Sequence, residues 1–258
     1  MVKAKAIVLD GYGINCPHET AYAMRTSGGE ADIRHVSEVT DSPSLLRDYN
    51  MLILPGGFSF GDDLGSARVL ANRLRHRAGG EISEFVKGGK LVLGICNGFQ
   101  ALVKMGLLPV PDFTQRVTLT YNASGKFEDR WVRLAMNQKS PCVFTKGIAY
   151  MDLPVRHGEG RFIPSGREVL GEMVGKNTIA CQYVSPEGKI DEYPYNPNGS
   201  VGGVAGICDE SGRIFGLMPH PEAYNHFTNH PAWTRGATKV GEGLRIFRNA
   251  VEHIESKF

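Results

Sequence analysis

Short apolar runs alternate with helix-spaced stretches through the first half of the chain. The segments 4–9, 31–36, 51–54 and 91–95 are too short for helices and stop at glycine, proline or polar clusters, so they predict strands. Helical spacing occupies 18–26, 67–77, 81–87 and 98–105 between them. Asn15 or Cys16 stands near the first helix start, and Gly28-Gly29, Gly88-Gly89 and Gly106 act as stops. Strands alternating with helices imply a parallel sheet covered on both faces. The pattern then changes. The segments 117–121, 131–134, 147–155, 179–184, 204–208 and 214–218 read as strands without long helices between them, and Asp209-Glu-Ser-Gly212 reads as a turn. A closing amphipathic helix spans 243–254, with Leu244, Ile246, Phe247, Ala250, Val251 and Ile254 at helical spacing. The predicted fold is α/β: a mostly parallel sheet flanked by helices, with a β-rich insertion, in a single domain over residues 1–258.

Charge and composition narrow the function classes. A formal net charge of +2 with both signs scattered argues against an electrostatic nucleic-acid or membrane-surface role. No apolar run approaches membrane-spanning length, and the N-terminus is interrupted by charge too early for a signal peptide. Five widely spaced cysteines, without a Cys-x-x-Cys pair, suggest neither a disulfide framework nor a zinc site; a reducing cytoplasm is expected. Cys16, Cys142, Cys181 and Cys208 are expected to be small buried hydrophobes. No metal site is expected, and His226 and His230 are expected to be solvated loop residues.

Cys96 is different. Lys90-Leu-Val-Leu-Gly-Ile-Cys-Asn-Gly-Phe-Gln100 is an apolar strand ending in Gly-x-Cys-x-Gly before a helix, the cysteine form of a nucleophile elbow. Gly94 and Gly98 flank the cysteine where side chains would collide, and the helix N-terminus favours a thiolate. A base and an orienter are then required. In Ile214-Phe-Gly-Leu-Met-Pro-His-Pro-Glu222, His220 and Glu222 follow a strand end two residues apart, so that Glu222 can fix the imidazole tautomer. The expected oxyanion donors are the backbone of Asn97 and a glycine-rich loop containing Gly56 and Gly57. His157 and Glu159, in Arg156-His-Gly-Glu-Gly160, fit a substrate-contacting loop and a polar hairpin equally well. These residues alone are also compatible with other cysteine hydrolases.

The segments Gly94-Ile-Cys-Asn-Gly-Phe-Gln100, Pro55-Gly-Gly-Phe-Ser-Phe-Gly-Asp62 and Met218-Pro-His-Pro-Glu222 together resemble class I (triad) glutamine amidotransferases. His157-Gly-Glu-Gly160, Asn198-Gly-Ser200, Val204-Ala-Gly206 and Gly13-Ile-Asn-Cys16 are similar to the branch serving purine biosynthesis. The resemblance covers nearly the whole chain. It implies a Cys96, His220, Glu222 triad that hydrolyses L-glutamine through a thioester, with Gly57 and Asn97 as oxyanion donors. Gln100, His157 and Glu159 are implied neighbours of the glutamine site. It further implies that ammonia passes to a separate synthetase subunit carrying ATP and Mg, with a small bridging subunit and no cofactor in this chain. A catalytically silent regulatory homologue is disfavoured by the complete residue set. Residues 65–81 and 223–241 depart from the compact bacterial pattern, and their position suggests a partner interface.

Overall fold

The computed structural model describes residues 3–235 and 240–257. In the first half, β1 (Lys5–Asp10), β2 (Glu30–His35), β3 (Met51–Leu54) and β4 (Leu91–Ile95) pair in parallel in the order β2-β1-β3-β4. Every residue of β3 and β4 is buried, as befits strands covered on both faces. The next strands are β5 (Val117–Thr120), β6 (Glu128–Met136), β7 (Tyr150–His157), β8 (Arg161–Pro164), β9 (Ile179–Val184), β10 (Val204–Cys208) and β11 (Ile214–Leu217). β11 joins β4 in parallel, and β10, β9, β6 and β7 continue the same sheet with antiparallel pairings. Thus the β-rich middle mostly extends the parallel half, and only β5 and β8 form a separate antiparallel pair.

The helices are α1 (Pro17–Thr26), α2 (Val36–Asp41), α3 (Arg68–Lys87), α4 (Asn97–Met105), α5 (Arg167–Gly175) and α6 (Leu244–Lys257). From β1 the chain moves outward to β2, and from β3 it moves the other way to β4. Right-handed crossovers therefore put α1 and α3 on opposite faces. α6 packs beside α1, and α4 beside α3. The aromatic core includes Phe99, Phe144, Phe215 and Phe247, all buried.

Three local features differ from the sequence expectation. The two helices expected at 67–77 and 81–87 are one helix, α3, running through Gly79-Gly80. Its buried residues Leu70, Leu74, Ala78, Ile82 and Phe85 keep helical spacing across the pair, and this packing outweighs roughly 1 kcal/mol of helix propensity per glycine. α2 is set by a cap reaching back into β2: His35 Nδ1 accepts the Ser37 N–H, and Glu38 accepts the His35 N–H at 3.0 Å. β8 and α5 were not expected from the sequence; β8 pairs with β5, and α5 follows it. No described helix is long and apolar enough to cross a membrane.

The sheet also curls. β7 is the edge strand furthest from β2, yet the Pro154 carbonyl on β7 accepts the His220 N–H at 2.9 Å. The antiparallel half thus returns to the C-terminal ends of the parallel strands and closes one side of the site there. Positions 65–81 are largely the start of α3, packed on α2 and α4. Trp233, in the 223–241 stretch, is 45% exposed, and positions 236–239 of that stretch lie outside the described residues.

An added Cβ at Gly80 would meet nothing within 4 Å. Gly80→Ala should therefore stabilise the protein by about 0.5–1 kcal/mol in urea denaturation, and a loss of stability would contradict an unbroken α3.

Candidate active site

Cys96 stands between β4 and α4 with φ 50° and ψ −105°, a left-handed conformation that persists only when its surroundings enforce it. The Cys96 N–H donates to the Leu217 carbonyl at 2.8 Å, and its own carbonyl accepts the Gln100 N–H at 3.0 Å. A Cβ on Gly94 would lie 2.7 Å from the Gly98 carbonyl oxygen, and one on Gly98 would lie 1.8 Å from the Leu54 carbonyl oxygen. The two glycines thus let the first turn of α4 rest directly on β3 and β4, which lifts Cys96 out of the sheet.

The candidate base, His220, follows the next parallel strand. After β11, Pro219 and a 3-10 turn at Pro221–Ala223 place His220 Nδ1 2.6 Å from Glu222 Oε1, with both side chains buried. That bond orients the ring and leaves Nε2 buried without a hydrogen-bond partner among the described residues. Burial alone would push the imidazole pKa down. The Glu222 carboxylate, the Cys96 sulfur and the nearby Cys16 thiol outweigh it and hold His220 well above the ordinary histidine range. Gly56 serves this ring: a Cβ there would sit 2.7 Å from His220 Cε1. Its part is to make room for the base, whereas the sequence suggested close approach to a ligand.

Gly57 differs from Gly56 in the direction of its N–H. Residues 13–15 and 56–58 form one antiparallel bridge, with Phe58 N–H on the Gly13 carbonyl at 2.7 Å and Asn15 N–H on the Gly56 carbonyl at 3.4 Å. Gly57 and Ile14 are the non-hydrogen-bonded pair between these bonds, so the Gly57 N–H points away from the bridge. Asn97, as the first residue of α4, also has an N–H without an intrahelical acceptor.

A cavity of about 130 Å³ opens beside these groups, lined by Gly57, Cys96 and His220 together with Asn15, Cys16, Phe58, Phe127 and Arg156. Cys16 corrects an expectation: it is half-buried and faces the cavity, and does not pack in the core. Phe58 and Phe127, 47% and 54% exposed with ring centroids 6.4 Å apart, flank the opening. Phe127 and Arg156 arrive from the segment before β6 and from β7, and only the curl of the sheet brings them here. The sequence placed Asn15 and Cys16 near the start of α1 and in the Gly13-Ile-Asn-Cys16 resemblance, and neither signal gave them a role in the site.

Gln100, His157 and Glu159 do not line this cavity; they buttress it. Gln100 is buried and its Nε2 donates to the Glu159 carbonyl. Asn122 locks His157: its Oδ1 lies 3.1 Å from His157 Nδ1 and takes the Gly160 N–H at 3.0 Å, while its Nδ2 donates to the His157 carbonyl at 2.8 Å. The ring lies over Gly160, where a Cβ would come within 2.3 Å of it. Asn198 Nδ2 holds the Gly160 carbonyl at 2.9 Å, and Ser200 Oγ takes the Phe162 N–H at 3.0 Å. Burial, with the charge on His220, pushes the His157 pKa down to about 3. The surroundings thus push the two histidines in opposite directions, His220 up and His157 down. Asn122 was not predicted, since a lone loop asparagine gives no pattern to read.

Among the described residues, Cys16, His220 and Glu222 bring potential metal-ligand atoms within 4.8 Å of one another. A metal there would compete with the 2.6 Å bond that orients the imidazole. His226 is exposed and caps the 3-10 turn Phe227–Asn229. His230 is not a solvated loop residue: it packs on the rings of Trp131 and Tyr224 at centroid distances of 4.8 and 5.7 Å.

A cysteine elbow, an oriented histidine and two backbone donors on an α/β sheet define a thiol amidohydrolase of the triad type. The chain belongs to the CobB/CobQ-like glutamine amidotransferase domain family, whose model matches residues 3–254. It is 47% identical, over 98% of both chains, to the phosphoribosylformylglycinamidine synthase subunit PurQ of Dehalococcoides mccartyi. It is 36% identical, over 97% of both chains, to the subunit of the same name from Archaeoglobus fulgidus. Its structure matches a chain in the structure of PurLQS from Thermotoga maritima with a TM-score of 0.73 at 30% identity, covering 98% of this chain and 100% of that one. A glutamine amidotransferase from Thermotoga maritima, 13% identical with a TM-score of 0.56, shares the fold.

Two outcomes follow from this geometry. Gly98→Ala should destabilise the protein by at least about 2 kcal/mol in urea denaturation, because backbone must move to admit the methyl; an unchanged midpoint would contradict the contact. The second concerns pH. His157 has a folded pKa of about 3, against about 6.5 unfolded. Between these values the unfolded chain binds a proton that the folded chain does not. Stability from neutral His157 is therefore present above about pH 6.5 and is lost as pH falls toward 3. His157→Gln should flatten the slope of stability against pH, between about pH 6 and 4, by up to about 1.4 kcal/mol per unit. Parallel slopes for variant and wild type would refute the assignment.

Proposed function

We propose that this chain is the glutaminase subunit of phosphoribosylformylglycinamidine synthase, supplying ammonia for the conversion of formylglycinamide ribonucleotide to formylglycinamidine ribonucleotide in purine biosynthesis. The observation that carries the chemistry is the buried His220–Glu222 pair, bonded at 2.6 Å, with His220 lining the same cavity as Cys96. The acceptor pathway is supported by the relatives' shared name at 47% and 36% identity over nearly the full chain.

In this reading Cys96 Sγ attacks the side-chain amide carbon of L-glutamine. The carbonyl oxygen becomes an oxyanion between the Gly57 and Asn97 N–H groups. His220 Nε2 carries the thiol proton to the amide nitrogen, the C–N bond breaks, and ammonia leaves a γ-glutamyl thioester. Water then adds to the thioester and gives a proton to His220, and glutamate and the Cys96 thiol are released. Glu222 holds the ring and balances its charge throughout. Arg156 offers the cavity a positive charge suited to the α-carboxylate of an amino-acid substrate.

The chain itself needs no cofactor for these steps. ATP and Mg act on a separate synthetase subunit, and a small subunit completes the complex, a reading supported by the match to a chain of PurLQS from Thermotoga maritima. A cytoplasmic location and a single-domain organisation are consistent with the five free cysteines and the continuous sheet.

In the assembled enzyme, Cys96→Ala should abolish glutamine-dependent synthesis and leave ammonia-dependent synthesis within about twofold of wild type, since the nucleophile and the ammonia acceptor lie on different subunits. Loss of both activities in a folded, assembled complex would contradict this division.

A further inference from the structure

Asn97, Gln100 and Lys104 lie at i, i+3 and i+7 on α4, which places them on one stripe of the helix. Each reaches out to hold a loop. Asn97 Oδ1 accepts the Ser59 N–H at 3.1 Å, and Asn97 Nδ2 donates to Asp62 Oδ1 at 3.1 Å and to Gln100 Oε1 at 3.0 Å. Gln100 Nε2 donates to the Glu159 carbonyl, and Lys104 Nζ to the Ser66 carbonyl. One helix face therefore ties together the loop after Gly57 and the hairpin between β7 and β8.

The loop after Gly57 needs such a tie. Phe60, Asp62 and Ala67 have φ of 54°, 53° and 57°, left-handed values that non-glycine residues hold only when their surroundings enforce them. Asp62 is the internal knot: its Oδ1 takes the Asn97 amide and also the Ala67 N–H at 2.9 Å. Gly57 lies two residues before Ser59, whose N–H Asn97 holds. An oxyanion hole works only when both donors lie about 2.7–3.1 Å from the same oxygen, and a misplacement of about 1 Å costs on the order of 10²-fold in rate.

We propose that the side chains of Asn97 and Asp62 are positioning residues for the glutaminase reaction: they fix the Gly57 loop against the nucleophile elbow, so that the Gly57 and Asn97 N–H groups converge on one oxyanion. The inference rests on the glutaminase reading above. Asn97 then has two separable parts, a backbone donor that any residue retains and a side-chain clamp that only a similar amide provides.

The test uses the chain assembled with its synthetase partner and measures glutamine hydrolysis. Asn97→Ala, which keeps the backbone N–H, and Asp62→Ala should each lower kcat roughly 10- to 100-fold, with the KM for glutamine changed less than about threefold. Asp62→Asn retains the Oδ1 that makes both bonds and should stay within about threefold of wild type. Alkylation of Cys96 by iodoacetamide, which needs no oxyanion hole, should proceed at the wild-type rate in all three variants. Wild-type kcat in Asn97→Ala and Asp62→Ala would overturn the inference. So would an alkylation rate that falls in step with kcat, because that marks collapse of the whole site. Absence of glutamine hydrolysis by the wild-type complex would overturn the glutaminase reading itself, and the inference with it.

Discussion

The close contact between the first turn of α4 and the carbonyl of Leu54 governs this site. With no room for a Cβ at Gly98, the helix sits down on β3 and β4, and the chain must turn through a left-handed residue at Cys96 to begin it. That one turn raises the sulfur above the sheet, leaves the Asn97 N–H free at the helix start, and aims the polar stripe of α4 at the neighbouring loop. The strain at Cys96, on the order of 1–3 kcal/mol, is offset by the buried apolar residues Phe99, Leu102 and Val103 behind it.

A second constraint is electrostatic. Two buried histidines influence each other across the site, and their surroundings push them in opposite directions. His220, against Glu222 and the sulfurs, favours its proton, while His157, against Asn122 and without a carboxylate, stays neutral. Two like charges this deeply buried would strongly oppose each other. The neutral histidine serves as a rigid wall that keeps the β7–β8 hairpin in place beside the charged one. Gly160 fits the same plan, since the imidazole of His157 occupies the space that a side chain there would need.

Much of this was legible in the sequence where local pattern and tertiary role coincide. The run Leu91–Ile95 is wholly apolar because both faces of β4 are covered, so its strand and the elbow after it read directly. The His220-Pro-Glu222 spacing read as a base and its orienter because residues two apart at a strand end can face the same side, and the short turn at Pro221–Ala223 does bring the two side chains together. The misses are equally physical. Gly79-Gly80 imitates a helix stop, and only the continuous buried stripe of α3 shows otherwise. Gly56 looks like a ligand-facing glycine, although its missing side chain makes space for an imidazole 164 positions later. Asn122 and Phe127 are single residues with no periodic context, Arg156 stood in the segment before Gly160 without a role of its own, and the curl that brings β7 over the ends of the parallel strands is a property of the whole sheet. Gln100 and His157 were expected as neighbours of the glutamine site; their side chains support the wall and do not line the cavity.

Cys16 makes the central claim open to a sharp test, because a second thiol faces the same cavity as Cys96 and lies close to the same imidazole. The measurement is peptide mass spectrometry of the assembled enzyme quenched by acid during glutamine turnover. A glutamyl adduct is expected on the peptide containing Cys96 and none on the peptide containing Cys16. An adduct on Cys16, persisting in Cys96→Ala, would contradict it.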